Sequence, residues 1–326
     1  MSLKPTYKTD IYQSNIPFYG SRLVFGTSGL GGVWGEAQEN ESIECILYAL
    51  ENGITSFDTA PSYSNAEIYL GKALKQWKGV QPFISTKVGR LKSDSAFDAK
   101  LDYSPKGMKE SLKRSMDLLG VDKVNLLFLH EPQWVPLDRI EEILETLLSL
   151  KEDGYTDLLG IGGNPPKSFI PYINNKYFQV TSSFCKMDAC NLSAFTELLP
   201  ITLKENIIVY AASSLHFSLL GNRFEQFIKQ HPGYSEISDA DIKNALKVNE
   251  VAKRNNVSLS TLSQRFLFSI EEADRVVIGA RKIDQIKSTV QDWKAGALPE
   301  VLFNEITEII LNPKNKDYNN KFMKTL

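Results

Sequence analysis

Eight short runs rich in β-branched and aromatic residues recur along the chain, at RLVFG, GITSFD, PFISTKV, VNLLFLH, DLLGIGG, FQVTSS, NIIVYAA and DRVVIGA. Seven amphipathic stretches separate them. That alternation predicts parallel strands with helical crossovers, because each helix covers the sheet while carrying the chain back to its starting edge. Helix candidates include NESIECILYALEN, AEIYLGKALKQW, SPKGMKESLKRSMDLLG, PLDRIEEILETLLSLKEDG and NLSAFTELLPITLKE; in the third, Ser104-Pro105 opens the helix and Gly120 closes it. Eight strand and helix units in 326 residues fit a closed barrel better than an open sheet. The expected fold is α/β, a single-domain (β/α)8 TIM barrel over residues 21–295. Residues 1–20 form an N-terminal cap segment and residues 296–326 a C-terminal helix and tail.

Composition narrows the partners. A formal net charge of -2, with no long run of Lys and Arg, leaves no positive field for nucleic acid. No window approaches the roughly 20 apolar residues of a membrane helix. The start, MSLKPTYKTDIYQSN, lacks the apolar stretch of a secretory signal, so the expected location is cytoplasmic. Cys45, Cys185 and Cys190 form neither a paired framework nor a CxxC ligand set, so they are assigned to packing and no metal is expected.

In such a barrel the chemistry sits where strands end and loops begin. GITSFD ends in Asp58, with Tyr63 five residues on; ISTKVG places Lys87 and LFLHEP places His130 at the next two strand ends. Singly, each has an ordinary structural use: a turn or cap, loop packing, a solvated cation, a buried histidine. Four suitable residues at three successive strand ends are harder to explain that way. A lysine ammonium beside a phenol favours the phenolate, a carboxylate holds the lysine, and a histidine can orient a substrate oxygen. Such a site moves a proton but holds no hydride, so a nicotinamide or flavin must bind beside it.

Two glycine segments bear on that cofactor. GTSGLGGVWG does not open a helix as a Rossmann fingerprint must, so it reads as a loop at the barrel mouth, with Trp34 a candidate wall of the substrate pocket. VVIGARKIDQIKST reads as strand, turn and helix start, where Gly279, Ala280 and Arg281 bring N–H groups and a cation to a helix N-terminus, an anion site.

GLGGVWG, FDTAPSYSNAEIYLGKAL, ISTKVG, LFLHEP and VVIGARKIDQI together resemble the aldo-keto reductase family across nearly the full length. The resemblance implies a barrel that binds NAD(P)(H) without a Rossmann domain, and a catalytic tetrad of Asp58, Tyr63, Lys87 and His130. Tyr63 is then the general acid in reduction and the general base in oxidation. It also implies that Asn164 contacts the nicotinamide carboxamide, and that the cofactor touches Ser213, Leu215, Gly279, Ala280 and Arg281. Gln285 and Thr289 stand where many members carry an arginine for the 2'-phosphate and an asparagine for the adenine. Arg281 and Lys282 could still neutralise that phosphate, so NADP(H) is favoured slightly over NAD(H). Ala212 stands where many members stack an aromatic ring on the nicotinamide. AASSLHFSLLGN resembles the branch containing the L-galactose, L-fucose and D-threo-aldose dehydrogenases, in which His216 could contact a sugar hydroxyl. The implied function is oxidation of an aldose at C1, with a small-molecule sugar or carbonyl as partner. The alternatives are a general aldehyde or ketone reductase and a cofactor-sensing regulatory subunit, and the oligomeric state stays open.

Overall fold

A computed structural model describes residues 3–14 and 16–312. Eight parallel strands close in sequence order, β8 pairing with β1: β1 Leu23–Gly26, β2 Ser56–Asp58, β3 Phe83–Val88, β4 Val124–Leu129, β5 Thr156–Ile161, β6 Val180–Phe184, β7 Ile208–Ala212 and β8 Arg275–Gly279. β1 and β3 are buried along their whole length; β1 accordingly reads as an unbroken apolar run, while β3 spends Ser85, Thr86 and Lys87 on buried polar contacts. Val24, Phe83, Leu126, Phe128, Val180 and Tyr210 fill the barrel as a packed core, so no pore runs through it.

Outside the barrel lie α1 Glu39–Glu51, α2 Ala66–Gln76, α3 Pro105–Leu119, α4 Ile140–Glu152, α5 Ala194–Glu197 and α6 Leu199–Glu205. α7 Phe224–Lys229, α8 Asp239–Arg254, α9 Leu259–Phe268, α10 Ile283–Lys294 and α11 Glu300–Leu311 complete the set. α3 begins and ends as its sequence predicts: the Ser104 hydroxyl accepts from the Gly107 N–H, and Gly120 takes the left-handed φ of 70°. The single helix expected over 191–205 is instead two, divided at Leu198. Pro200 lacks an N–H and its ring crowds the preceding turn, so a helix can start there but not run through. Between β5 and β6 the crossover is a 3₁₀ segment, Lys167–Tyr172, preceded by Pro166 and containing Pro171.

The amino-terminal ends of the strands are closed by the segment before β1. Tyr7 bridges Ile270, and Phe18 stacks on Phe83. Arg22 donates to the carbonyls of Ile11, Phe268, Ile270 and Ala273. Arg275 is fully buried there, its guanidinium 4.3 Å from the Phe83 ring centroid and 2.9 Å from the Tyr210 hydroxyl. Of the expected C-terminal helix and tail, α11 is present and residues 313–326 lie outside the described residues. Among the described residues no helix is long and apolar enough to cross a membrane.

Candidate active site

β2, β3 and β4 are neighbours in the barrel, so their carboxyl ends lie side by side at the open mouth. That adjacency brings Asp58, Lys87 and His130 together. The 3₁₀ turn Pro61–Tyr63 that follows β2 then folds Tyr63 over them. The loop after β1 packs so tightly on this turn that a Cβ on Gly31 would lie 1.8 Å from the Tyr63 carbonyl oxygen, and Gly31 itself accepts from the Asn65 N–H. Only a residue without a side chain lets the two mouth loops touch there.

Lys87 Nζ donates to Asp58 Oδ2 at 2.6 Å and to the Thr59 carbonyl at 2.9 Å, and it sits 4.8 Å from the Tyr63 ring centroid. Ser85 donates its hydroxyl to the other Asp58 oxygen. Burial pulls Lys87 down, but Asp58 and Tyr63 more than restore it, so its pKa is raised and it stays an ammonium. Burial pushes the Tyr63 phenol above its usual value and Lys87 pulls it back only in part. The sequence-based expectation emphasised the pull. In the pocket as it stands burial is the larger effect, and the phenol holds its proton at neutral pH.

His130 stands edge-on to Tyr63 with 5.9 Å between ring centroids, and Ser62 Oγ lies 3.4 Å from its Nδ1. Burial, then Lys87 and Arg90, drive its pKa well below 6.5, so the ring is neutral. A Ser62 hydroxyl donating to Nδ1 leaves Nε2 as the N–H donor for a substrate oxygen. Behind it, Tyr103 donates its hydroxyl to the carbonyls of both His130 and Glu131, while Arg90 pairs with Glu131 at 2.7 Å. Sequence reasoning passed over Ser62, Arg90, Tyr103 and Glu131, although Arg90 and Glu131 immediately follow strand ends already singled out.

The cofactor candidates lie on the same face. Gly26 and Gly279 pair at the last register of β1 and β8, leaving bare main chain at the mouth, and a Cβ on Gly279 would meet only the Gly26 carbonyl at 3.7 Å. Ala280 is buried, and Arg281 donates to the Glu36 carbonyl. Ser213 accepts from the Cys185 thiol, and Leu215 is half-buried against the core. Asn164 bridges the Phe184 main chain, donating to its carbonyl and accepting from its N–H, with a second amide hydrogen to spare.

Three expected contacts change. Thr289 is 2% exposed on the inner side of α10 and presents nothing to a ligand. Gln285 turns back on its own helix, its Oε1 accepting from the Arg281 and Lys282 N–H groups. His216 is fully buried, with Nδ1 on Asp188 and Nε2 on the Glu236 carbonyl, so no ring nitrogen is left for a sugar.

Trp34 lines a cleft of about 430 Å³ together with Phe97, Tyr234, Asp94 and Arg223, and Asp58, Tyr63, Lys87 and His130 are not among its lining residues. Phe217 and Phe184 extend this aromatic wall, Phe217 standing 5.9 Å from Trp34, 5.3 Å from Phe184 and 5.4 Å from Tyr234. Phe184 was missed, yet it ends β6 beside Ala212 and the strand-end rule applied to β6 would have found it.

The sequence model of the Aldo/keto reductase family matches residues 22–311, from β1 to the end of α11. The chain belongs to that family. It is 27% identical to the L-galactose dehydrogenase of Arabidopsis thaliana, over 90% of this chain and 92% of that one. With the D-arabinose 1-dehydrogenase of Saccharomyces cerevisiae it shares 28% identity over 84% and 83% of the two chains. Among solved structures, the glycerol dehydrogenase of Gluconobacter oxydans superposes with a TM-score of 0.72 at 22% identity, covering 92% of this chain and 94% of the other. As an aldo/keto reductase the protein is an NAD(P)-dependent oxidoreductase with a small-molecule substrate. The bare shelf at Gly26 and Gly279, with a cation beyond it, fits a dinucleotide laid across the mouth.

Proposed function

We propose that this oxidoreductase is an aldose 1-dehydrogenase, taking the C1 hydrogen and the anomeric hydroxyl proton from a sugar hemiacetal to leave a lactone. The observation that carries this reading is the Tyr63 phenol standing between an ion-paired Lys87 and a neutral His130. His130 Nε2 orients the anomeric oxygen, and Tyr63 accepts its proton once it has ionised to the phenolate, a form that Lys87, fixed by Asp58, stabilises and that grows as pH rises. Gly279, Arg281, Ser213 and Asn164 would hold the dinucleotide, whose nicotinamide would supply the hydride acceptor. Run in reverse, Tyr63 donates its proton to a carbonyl.

A sugar as substrate is supported by the names of the relatives and by the cleft. Trp34, Phe97 and Tyr234 offer flat apolar faces to the C–H side of a sugar ring, while Asp94 and Arg223 can take its hydroxyls.

The reading extends to NAD(H) as the working cofactor. Gln285 already caps the Arg281 and Lys282 N–H groups, and the Glu41 carboxylate accepts from the Ile283 N–H. Gln285 therefore occupies N–H groups that a 2'-phosphate would use, and the Glu41 carboxylate stands beside them, which disfavours that phosphate there despite Arg281 and Lys282. The test is nicotinamide absorbance with L-galactose, L-fucose and D-arabinose, each with NAD and NADP, then aldehydes and ketones with the reduced cofactors. Sugar oxidation with a higher kcat/KM for NAD is expected. Reduction of simple carbonyls without sugar oxidation would make the protein a general reductase, and cofactor binding without turnover would make it a sensor.

A further inference from the structure

We propose that His216, as a protonated ring clamped between Asp188 and the Glu236 carbonyl, is a positioning residue that holds Phe217 at the barrel mouth and so sets affinity for substrate. The inference rests on the site proposed above only for where the substrate enters.

The clamp joins three separate loops. Asp188 follows β6, His216 follows β7, Glu236 leads into α8 and Asp241 lies in its first turn. The His216 and Asp188 side chains are both completely buried, with 2.7 Å between Nδ1 and Asp188 Oδ2. On the other side of the ring, Nε2 lies 3.0 Å from the Glu236 carbonyl and 3.7 Å from Asp241 Oδ2. The Glu236 carbonyl only accepts, so Nε2 carries a proton, while the second Asp188 oxygen accepts from the N–H groups of Cys190 and Asn191. With Asp188 as a carboxylate Nδ1 donates as well, and the ring is an imidazolium. Asn191 and Asn244 tie the loop after β6 to α8 independently, through Asp241 and the Cys190 carbonyl, so the framework around the ring stands without it.

What the ring holds would not hold itself. Ser213, His216, Phe217 and Ser218, none of them glycine, have φ of 65°, 46°, 54° and 72°. Non-glycine residues rarely adopt that region and persist there only when their surroundings fix them. The strained stretch carries Phe217, whose ring meets Trp34, Phe184 and Tyr234 on the wall of the mouth. When His216 loses a proton, one of its two acceptors faces a lone pair instead of an N–H, and the loop is free to relax with Phe217.

The groups facing the ring are Asp188 and Cys190 from the loop after β6, the Glu236 carbonyl from the approach to α8, and Asp241 from its first turn. Burial pulls the ring down, but Asp188 and Asp241 with the Glu236 carbonyl hold it at about 9. Asp241 moves up through burial, as expected when two acids share one cation. A raised folded pKa means that the clamp stabilises in full below the ordinary 6.5 and is lost as pH climbs through about 9. Asp188, Cys190 and His216 also offer ligand atoms within 4.8 Å of one another, of kinds that bind zinc. Zinc would need those same atoms stripped of their protons, which makes the two readings exclusive.

The full-length protein labelled with ¹³C-histidine gives signals from three imidazoles, His130, His216 and His231. The His216 signal is expected to stay charged at neutral pH and to lose its proton near pH 9. In steady state, KM for substrate rises about tenfold one pH unit above that step, because only the clamped fraction binds. His216→Gln raises KM at neutral pH and abolishes the step; Phe217→Ala does the same without touching the buried pair. A His216 ring that is neutral at pH 7, a wild-type KM that is flat through the step, or stoichiometric zinc in the purified protein would overturn the proposal. The ring titration needs no substrate, so a ring neutral at pH 7 overturns the clamp even if the aldose assay fails.

Discussion

Tyr63→Phe is expected to lose about 10³-fold in kcat while retaining cofactor affinity and its unfolding midpoint. The substitution keeps the ring that stands against His130 and under Lys87, and removes only the oxygen that carries the proton. Lys87 loses the phenol oxygen but keeps Asp58 and the Thr59 carbonyl as partners, so the fold has little reason to weaken. Burial holds the phenol protonated above its usual value, so wild-type oxidation gains rate as pH rises, and Tyr63→Phe loses that dependence. Stopped-flow absorbance across pH, cofactor binding by fluorescence, and thermal unfolding separate these three effects. A Tyr63→Phe enzyme with full turnover would remove Tyr63 from the chemistry.

Lys87→Met should fail in both respects. Lys87 and Asp58 form an ion pair with side chains only 8% and 11% exposed, and removing the cation strands the carboxylate. Breaking such a pair from one side costs about 3–5 kcal/mol. The phenol also loses the charge that stabilises its deprotonated form, so kcat falls at least about 10²-fold. The double variant Asp58→Asn with Lys87→Met should regain much of the lost stability and none of the activity, because the neutral amide no longer needs the cation. Chemical denaturation of the two variants checks this; equal instability in both would mean that the pair's charges are not what holds the site together.

The barrel was legible because its strands are largely buried, so most appear as short runs rich in apolar and β-branched residues whatever surrounds them. Asp58, Lys87 and His130 were legible for a related reason: β2, β3 and β4 are consecutive, and a closed parallel sheet sets consecutive strand ends side by side. Contacts between loops were not. His216 reads as a surface loop residue because its partner Asp188 lies 28 positions away in another loop, and nothing near either one signals burial. Thr289 and Gln285 depended on how α10 rotates against the barrel and on what its first turn uses as a cap. The helix break at Pro200 was written in the sequence, as a proline inside an expected helix, and reading it would have divided 191–205 correctly.

The central claim is that this barrel removes hydride from C1 of an aldose. It is tested most directly with L-galactose or D-arabinose deuterated at C1, oxidised by the wild-type enzyme with NAD, followed by mass and NMR analysis of both products. Deuterium at C4 of the reduced nicotinamide, with an unlabelled lactone, is the predicted result. Reduced cofactor without deuterium would contradict the claim, because the hydride would then have come from another carbon.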